Sequence, residues 1–297
     1  MGVDLSTLPF PEVIEDLSYE AILQDLIVEF QGIMPDYQPL ESDMYMPLFE
    51  VFAYREMHLR HRINSASKSL LLTYAVGSDL EHIAFTYYNG TSRLVVDPGD
   101  DNATPPRPVI YESDDRLRER CRLSLYAYST AGPIGAYKFH AMTASADIKD
   151  VKVAKHTPAP GDVTLYVLST IGNGIPTQAV LDAVTIALDD EETRPINDSV
   201  FVQAAEIIDW TLDVRLIVYP DANTTLVLEK ANAAAVKFVA EHHALGHDIT
   251  VAALGAALIV PGVMDVTYIA PLQNLVVGNH QAPFNTSINI VIGGYDV

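Results

Sequence analysis

Residues 41–66 read ESDMYMPLFEVFAYREMHLRHRINSA and carry a long helical pattern. Ser42 and Asp43 are residue types that cap helix N-termini. Pro47 falls near the first turn, where a missing N–H does least harm. A continuous helix from residue 43 to residue 66 would be about 36 Å long at 1.5 Å per residue. The pattern therefore predicts one long amphipathic helix.

The apolar side chains of this predicted helix recur at helical spacing and form one stripe. The stripe consists of Leu48, Val51, Phe52, Leu59 and Ile63, and the charged residues Arg55, Glu56, Arg60 and Arg62 are expected largely on the other faces. Two interpretations fit the stripe equally well from composition alone. It packs on its own domain, or it belongs to an arm that contacts another protein.

Helical patterns flank this stretch, so the first ninety residues are predicted to be mostly helix. Ser18 is expected to cap residues 19–31 (YEAILQDLIVEFQ), with Gly32 and Pro35 ending that helix. A separate helix is predicted at 67–76 (SKSLLLTYAV), ending at Gly77. Ser78 is then expected to cap 79–88 (DLEHIAFTYY).

Residues 90–114 are rich in Pro, Gly, Asp and Asn, which predicts a loop or linker. A short helical pattern follows at 114–128, and helices and strands alternate from about residue 131. Strands are predicted at 148–156, 162–170, 199–207, 210–220, 263–271 and 288–294, and helices at 135–146, 176–190, 226–243 and 250–259.

These patterns predict an α+β protein with an N-terminal helical region, a linker and a two-unit α/β body with small mixed or antiparallel sheets. We expect four parts, at residues 1–90, 91–130, 131–205 and 206–297. A faint internal repeat supports two related α/β units, because ADIKDVKV and PGVMDVTY both follow a helix and align Asp150-Val151 with Asp265-Val266.

Composition excludes several classes of function. The formal net charge of −21 would repel a phosphate backbone, so direct nucleic-acid binding is not expected. The single cysteine, Cys121, permits neither an internal disulfide nor a thiolate metal cluster. The first residues lack the basic and apolar regions of a signal peptide, and the apolar runs are too short for a membrane span. We expect a soluble protein made in a reducing cytosol.

A glycine turn at residues 170–177 (TIGNGIPT) resembles the start of a dinucleotide-binding turn between a strand and a helix. Thr177 replaces the third glycine of that motif, however, and Pro176 suits an ordinary helix start. Antiparallel pairing of 162–170 with 148–156 would also fail to form a parallel βαβ crevice. A nucleotide-dependent enzyme that uses Gly172 and Gly174 remains the alternative interpretation.

Three histidines lie close together in residues 239–247, VAEHHALGH. His243 and His247 have the i, i+4 spacing of a helical zinc pair, but Gly246 between them is expected to end the helix. His242 and His243 would point about 100° apart on a helix and could not converge on one ion. We interpret the stretch as a helix end and hinge whose imidazoles cap carbonyls or face a neighbouring subunit, with residues 248–250 leading into the next helix.

No other pattern predicts chemistry. His58 and His61 lie among arginines, which would repel a metal cation. No G-x-S-x-G motif is present, and Cys121 is expected to be a partly buried structural thiol. We therefore expect no catalytic residue, no metal and no cofactor, and a protein that is not an enzyme.

Longer stretches of the chain resemble the family of phage baseplate J-like proteins, which occurs in P2-like contractile-tailed phages, R-type tailocins and related contractile injection systems. The resemblance runs in collinear order over nearly the whole chain. It is carried by ESDMYMPLFEVFAYREMHLRHRINSASKSLLLTYAVGSDLEHIA (41–84), VIYESDDRLRER (109–120), STAGPIGAYKFHAMTASADIKDVKV (129–153), APGDVTLYVLS (159–169), RPINDSVFVQAAEI (194–207), VAEHHALGHDIT (239–250), AALIVPGVMDV (256–266) and APFNTSINIVIGG (282–294).

This resemblance implies a structural subunit of a baseplate wedge, located in a virion or tailocin tail and assembled in the bacterial cytoplasm. It implies partners: other copies of the chain, a tail protein I-like subunit, and the sheath-initiator and hub or spike proteins. The helices within 17–86 would join a core bundle through Leu48, Val51, Phe52, Leu59 and Ile63. Residues 91–130 would form a branching region, and 206–297 would contribute contacts that close a ring. The ring would rearrange to trigger sheath contraction.

Overall fold

The computed structural model describes residues 17–40, 43–129, 132–155, 159–189, 195 and 197–296. Two compact units divide the chain. The first comprises Met1–Ser92 and Ser113–Arg118, and the second comprises Arg93–Glu112 and Glu119–Val297. The predicted boundaries at residues 90, 130 and 205 stay a prediction.

Three helices form most of the first unit: α1 (Tyr19–Ile33), α2 (Met46–Ser69) and α3 (Gly77–Tyr87). Ser18 caps α1 as predicted, because its side chain accepts a hydrogen bond from the amide of Ala21. The predicted cap residue Ser42 lies outside the described residues. Tyr45 is the N-cap of α2, and Pro47 falls in its first turn.

Two predictions about this unit are wrong. The helix at 67–76 does not exist as a separate element, because residues 67–69 complete α2 and the chain then turns, with Leu71 N–H donating to the Lys68 carbonyl. Ser78 does not cap α3, which starts one residue earlier at Gly77. The Gly77 amide instead donates to Asp114 Oδ2, so a carboxylate distant in sequence caps the helix.

The core of the first unit combines aliphatic and aromatic side chains. Ile22, Ile27, Phe49, Ala53, Leu80, Ile83 and Ala84 are buried. The ring of Phe30 lies 5.0 to 5.8 Å from the rings of Tyr37, Tyr45 and Phe49. Two of these contacts are edge-on and the one to Tyr45 is tilted, and together they join α1 to the start of α2.

The predicted linker contains regular structure. Strands β1 (Val95–Asp97) and β2 (Ile110–Tyr111) pair antiparallel, and α4 (Asp114–Ser124) follows, continued by a 3₁₀ helix at Leu125–Tyr128. The residues of α4 are divided between the two units. A strand pair this short has too few alternating residues to be recognised in a Pro- and Gly-rich stretch.

The first α/β region of the second unit is a three-stranded sheet with two helices. Its elements are α5 (Ile134–Ala144), β3 (Ile148–Lys155), β4 (Asp162–Ser169), α6 (Gln178–Leu188) and β5 (Ser199–Ala204). The strand order is β3-β4-β5, with β3 antiparallel and β5 parallel to β4. The sheet and helices bury a shared core that includes Tyr137, Ile148, Leu165 and Val184.

The second α/β region is also a three-stranded sheet with two helices, but its central strand comes first in the chain. It contains β6 (Glu206–Val218), α7 (Thr224–His242), α8 (Val251–Leu258), β7 (Val263–Ala270) and β8 (Gln281–Tyr295). In the order β7-β6-β8, β7 is antiparallel and β8 parallel to β6. Strand β8 starts at Gln281 and not at residue 288, because its polar first half completes the ladder with the start of β6.

Both regions share a local structure at the sequence repeat. Asp150 Oδ1 accepts from the Val151 amide, and Asp265 Oδ1 accepts from the Val266 amide, each at 2.8 Å. A β-bulge precedes each aspartate, on the strand that pairs antiparallel with the central strand. The sheets are small and mixed, and the predicted α+β class is confirmed. Within the described residues, no helix is both long and apolar enough to cross a membrane.

Candidate interaction surface

Helix α2 carries two apolar faces, only one of which lies in the core of its unit. Phe49 and Ala53 are buried, at 7% and 0% exposure. The predicted stripe lies on another face: Leu48, Val51, Phe52, Leu59 and Ile63 are all between 39% and 55% exposed. We call these five residues the α2 stripe. Large apolar side chains at five positions on one helix face are typical of surfaces that meet another protein.

The sequence led us to expect the arginines of α2 largely on the faces away from the stripe. Two of them lie on the stripe face instead. Arg55 is four residues after Val51 and four before Leu59, so it lies inside the stripe. Arg62 follows Leu59 by three residues and lies on the same face. The exposed groove along the stripe is lined by Phe52, Arg55, Leu59 and Ile63, together with Leu26 of α1 and the paired Glu56 and Arg60.

The two arginines of the stripe differ from their neighbour Arg60 in how their charge is compensated. Arg60 forms an i, i+4 ion pair with Glu56. Among the described residues, no ion pair of Arg55 or Arg62 is found, and both are exposed. In a chain of net charge −21, this face therefore combines apolar surface with uncompensated positive charge. A partner with apolar and acidic side chains would complement it.

The histidine stretch forms a turn whose side chains bind carbonyls. Helix α7 ends at His242 with His243 as its C-cap, so it stops before Gly246, where the sequence predicted its end. His242 Nδ1 lies 2.9 Å from the Phe238 carbonyl oxygen, and His243 Nδ1 lies 2.8 Å from the Pro283 carbonyl oxygen of β8. Gly246 has a φ of +64°, which a turn tolerates easily at glycine.

This turn is held by both sheets of the second unit. The Leu245 amide donates to Asp150 Oδ2 on β3, and the Gly246 amide donates to the Gln281 carbonyl on β8. Leu245 is buried with Leu168, Ala205 and Ala282 in a small apolar cluster. The stretch that we interpreted as a hinge therefore lies at a joint between the two α/β regions and contacts both. Thr250 caps α8, which confirms the predicted helix entry.

The joint perturbs the titration of two of its histidines. Burial lowers the pKa of His243, and the nearby Lys149 acts in the same direction, against the hydrogen bond to Pro283. Burial and the adjacent His242 likewise lower the pKa of His247. A neutral His243 that carries its proton on Nδ1 still donates to the Pro283 carbonyl. In the part of the chain that the structure describes, no three His, Cys, Asp or Glu side chains are grouped so as to hold a metal ion.

Three backbone amides of the glycine turn at residues 171–175 form hydrogen bonds within or next to the turn. The Ile171, Gly174 and Ile175 amides donate to Ser169 Oγ, the Ile171 carbonyl and Asn173 Oδ1. Gly174 has a φ of +101°, and a Cβ there would lie 2.6 Å from Leu168 Cδ1 and 2.9 Å from His243 Nε2. Packing and backbone conformation therefore account for this glycine.

One argument against nucleotide binding at this turn is wrong. Strand β4 pairs antiparallel with β3, as predicted, but β4, α6 and β5 also form a parallel crossover, which the sequence was expected to lack. The objection that stands is local: three amides of the turn already have partners in the chain, whereas a phosphate cradle needs amides free to donate.

Sequence reasoning missed a buried ion pair between Glu112 and Arg120. Their side chains are 0% and 2% exposed. Glu112 Oε1 also accepts from the Leu94 amide, and Arg93 Nη1 donates to the Glu112 carbonyl. No pattern marks these residues, because Glu112 belongs to a Pro-rich stretch and Arg120 to a helix with four arginines. Cys121, on the same helix, is fully buried and not partly so.

Comparison with known proteins identifies similar sequences over the whole length of the chain. A model described as the Baseplate J-like N-terminal domain matches residues 41–100, and one described as the Baseplate J-like central domain matches residues 129–204. The chain is 37% identical to Baseplate protein J of Escherichia phage P2 over 306 residues, covering 99% of each chain.

A solved structure with some likeness is the 6-fold symmetrised cryo-EM structure of the anti-feeding prophage baseplate. The match has a TM-score of 0.41 and 12% identity, and it covers 61% of this chain and 44% of that chain. A likeness at this TM-score does not establish a shared fold.

Proposed function

The chain belongs to the baseplate J-like family, and on that premise we propose that it is a structural subunit of a contractile-tail baseplate wedge. It joins a tail protein I-like subunit through its helical unit. It contacts other copies of itself to form a ring around the hub and spike, near the sheath-initiator protein. The ring rearranges when the tail is triggered, and the sheath then contracts. The role is mechanical and not catalytic, and its place is the tail baseplate, assembled in the host cytoplasm.

The observation that carries the proposal is the exposed α2 stripe. Five large apolar side chains remain 39% to 55% exposed although the same helix has a buried face with Phe49 and Ala53. Removing apolar surface from water is favourable by about 25 cal/mol per Å², and this gain offsets the entropy that two proteins lose on association. A second helix laid along the stripe would cover these side chains over four turns of α2, from Leu48 to Ile63.

Charge favours the same kind of partner. Arg55 and Arg62 place two cations on the stripe, so an amphipathic helix with carboxylates beside its apolar residues fits best. A second copy fits less well in the parallel arrangement, because it would set like charges against each other. The strong negative charge of the rest of the chain keeps free subunits soluble before assembly.

The test is co-purification with the tail protein I-like subunit of the same virus or tailocin. We expect the Phe52→Asp and Leu59→Asp variants each to lose the complex, because a carboxylate would be buried in an apolar contact. Pull-down and sedimentation velocity measure the loss. Circular dichroism should show native helix content, since both residues are half exposed in the free chain.

His61→Asp is the matched control, because residue 61 is exposed on α2 and lies three or four residues from no member of the stripe. This variant should bind the I-like subunit as the unmodified chain does. Normal complexes with both Phe52→Asp and Leu59→Asp would mean that the stripe is not the contact.

A further inference from the structure

The edge strands of the two three-stranded sheets differ in length and charge. In the order β3-β4-β5 the edges are β3 and β5, and in the order β7-β6-β8 they are β7 and β8. Strand β3 carries four charged residues, β7 carries one, and β5 is only six residues long. These are common ways in which a native edge avoids unintended pairing.

Strand β8 has neither protection. It is the longest strand that the structure describes, at 15 residues, and its sequence QAPFNTSINIVIGGY contains no Asp, Glu, Lys or Arg. One side of β8 pairs with β6 along its whole length, and within the described residues no strand pairs with the other side. The Gln281 and Pro283 carbonyls at the start of β8 are bound by the Gly246 amide and the His243 ring, so the edge open to pairing lies farther along the strand. An uncharged edge with free N–H and C=O groups is a template for another strand.

Two irregularities delimit the part of this edge that is suited to pairing. The register with β6 shifts near Thr286 and again near Gly293, and each shift marks a bulge. Between them, residues 287–292 (SINIVI) form a regular run rich in β-branched side chains. Ile288 and Ile292 pack toward the core of the sheet, whereas Ser287, Asn289 and Val291 are exposed on the opposite face.

We propose that the free edge of β8, at residues 287–292, pairs antiparallel with the same edge of a second copy of this chain, about a two-fold axis perpendicular to the sheet. The inference deepens the contact between copies in the proposed function and rests on it. The pairing joins two three-stranded sheets into one six-stranded sheet. It satisfies backbone groups on both copies and needs no other chemistry from the partner.

Charge selects a second copy over another protein. Two chains of net charge −21 repel each other over most of their surface, so they meet most easily where neither carries charge. An edge without charged residues also has no means of selecting a partner by charge, whereas two-fold pairing of identical strands is complementary by symmetry. On the exposed face, Ser287, Asn289 and Val291 of one copy then lie opposite the same three residues of the other.

The experiment uses the full chain and charge variants at two exposed positions of the edge. Ser287→Lys/Val291→Lys should weaken dimerisation roughly tenfold or more, because lysines of the two copies face each other. Ser287→Asp/Val291→Asp should do the same. An equimolar mixture of the two variants should dimerise about as tightly as the unmodified chain. Sedimentation equilibrium measures each dissociation constant.

Thr267→Lys is the matched control. Residue 267 is exposed on β7, at the opposite edge of the same sheet, so this variant should dimerise normally if the β8 edge is the contact. Loss of dimer in Thr267→Lys would assign the contact to the sheet face and overturn edge pairing. A dimer that survives in both double variants would also overturn edge pairing, although the proposed contact between copies would stand. An unmodified chain that stays monomeric would instead overturn the proposed contact between copies itself.

Discussion

At the scale of single residues, the buried pair of Glu112 and Arg120 shows how a polar contact fixes an irregular segment. Glu112 follows β2 and accepts from the Leu94 amide next to β1, while its carboxylate holds the guanidinium of α4. Arg120 Nε also lies 3.4 Å from Thr143 Oγ1 on α5. The pair therefore joins the β1–β2 strand pair to α4 and α5. The large apolar side chains of these two strands and their neighbours do not do this, because they stay exposed: Val95, Val96, Val109, Ile110 and Tyr111.

We expect Glu112→Ala to destabilise the second unit by about 3–5 kcal/mol, because it leaves the Arg120 cation buried without its carboxylate. The double variant Glu112→Leu/Arg120→Met should lose less, since both charges are removed together. Hydrogen exchange of the β1, β2 and α4 amides measures the local free energy of opening. Equal losses of stability in the single and double variants would show that the unpaired charge of Arg120 is not the cause of the destabilisation.

His243 predicts a pH dependence of the joint between the two α/β regions. Its pKa is lowered by burial, so the unfolded chain, with a value near 6.5, takes up the proton first as the pH falls. Neutral His243 therefore stabilises the folded chain fully above the unfolded pKa. This stabilisation is lost as the pH falls from the unfolded pKa toward the lower folded pKa. We expect the free energy of unfolding to fall between pH of about 7.5 and about 5.5.

The control is His243→Gln, which keeps a donor for the Pro283 carbonyl but does not titrate in this range. Its free energy of unfolding should fall less over the same pH interval, as denaturant titration at each pH measures. An equal fall in both chains would assign the effect to other groups. His247, whose pKa burial also lowers, would contribute with the same sign.

Single residues were the least predictable part of the chain, because their partners are distant in sequence. The carbonyl contacts of the histidines followed from the helix end, but the Pro283 partner of His243 lies 40 residues away. The Asp150 contact of Leu245 spans 95 residues. No local pattern contains such pairs. They follow from the way in which the two sheets meet.

At the scale of elements, the sequence predicted most helices and strands after residue 131, because their hydrophobic periodicity is strong. Errors occurred where the pattern was weak. The first half of β8 is polar and contains Pro283, so it lacks the alternation of a strand. The helix expected at 67–76 failed because apolar residues alone do not define a helix end. The residues of the α2 stripe have the spacing of one helix face in the sequence. The structure was needed to show that this face is exposed and that another face of α2 is buried.

That separation predicts different effects for two neighbouring phenylalanines of α2. Phe49→Ala should destabilise the helical unit by about 3–5 kcal/mol, because Phe49 is buried against the rings of α1 and the following turn. Phe52→Ala should change stability by no more than about 0.5 kcal/mol, since that ring is half exposed. Hydrogen exchange of the α1 and α2 amides in the isolated chain measures the stability change of each variant. A large loss in Phe52→Ala would mean that the stripe serves its own fold.

At the scale of the whole molecule, composition and the family resemblance predicted the class of protein, whereas sheet order required the structure. The sequence did not show that each three-stranded sheet combines one antiparallel and one parallel neighbour around its central strand. It also did not show which edges remain free. Both proposed contacts depend on such facts: an apolar face outside the core for α2, and an unpaired, uncharged edge for β8.

Net charge predicts that these two contacts respond to salt in opposite directions. Self-association through β8 brings together two chains of net charge −21 at an uncharged edge, so salt screens only repulsion. Its dissociation constant should fall as NaCl rises from about 0.05 M to about 0.5 M, over which the screening length shortens from more than 10 Å to a few ångström. Binding of the α2 stripe to an acidic partner helix should weaken, because salt also screens the attraction of Arg55 and Arg62.

Sedimentation equilibrium of the chain alone and titration with the I-like subunit, each over this salt series, measure the two slopes separately. The Ser287→Lys/Val291→Lys variant is the control for the second titration, because it should bind the I-like subunit with an unchanged salt slope. Self-association that weakens with salt would reveal ion pairs between copies. An uncharged strand edge cannot supply them, so that result would move the contact between copies away from β8 to a charged surface of the chain.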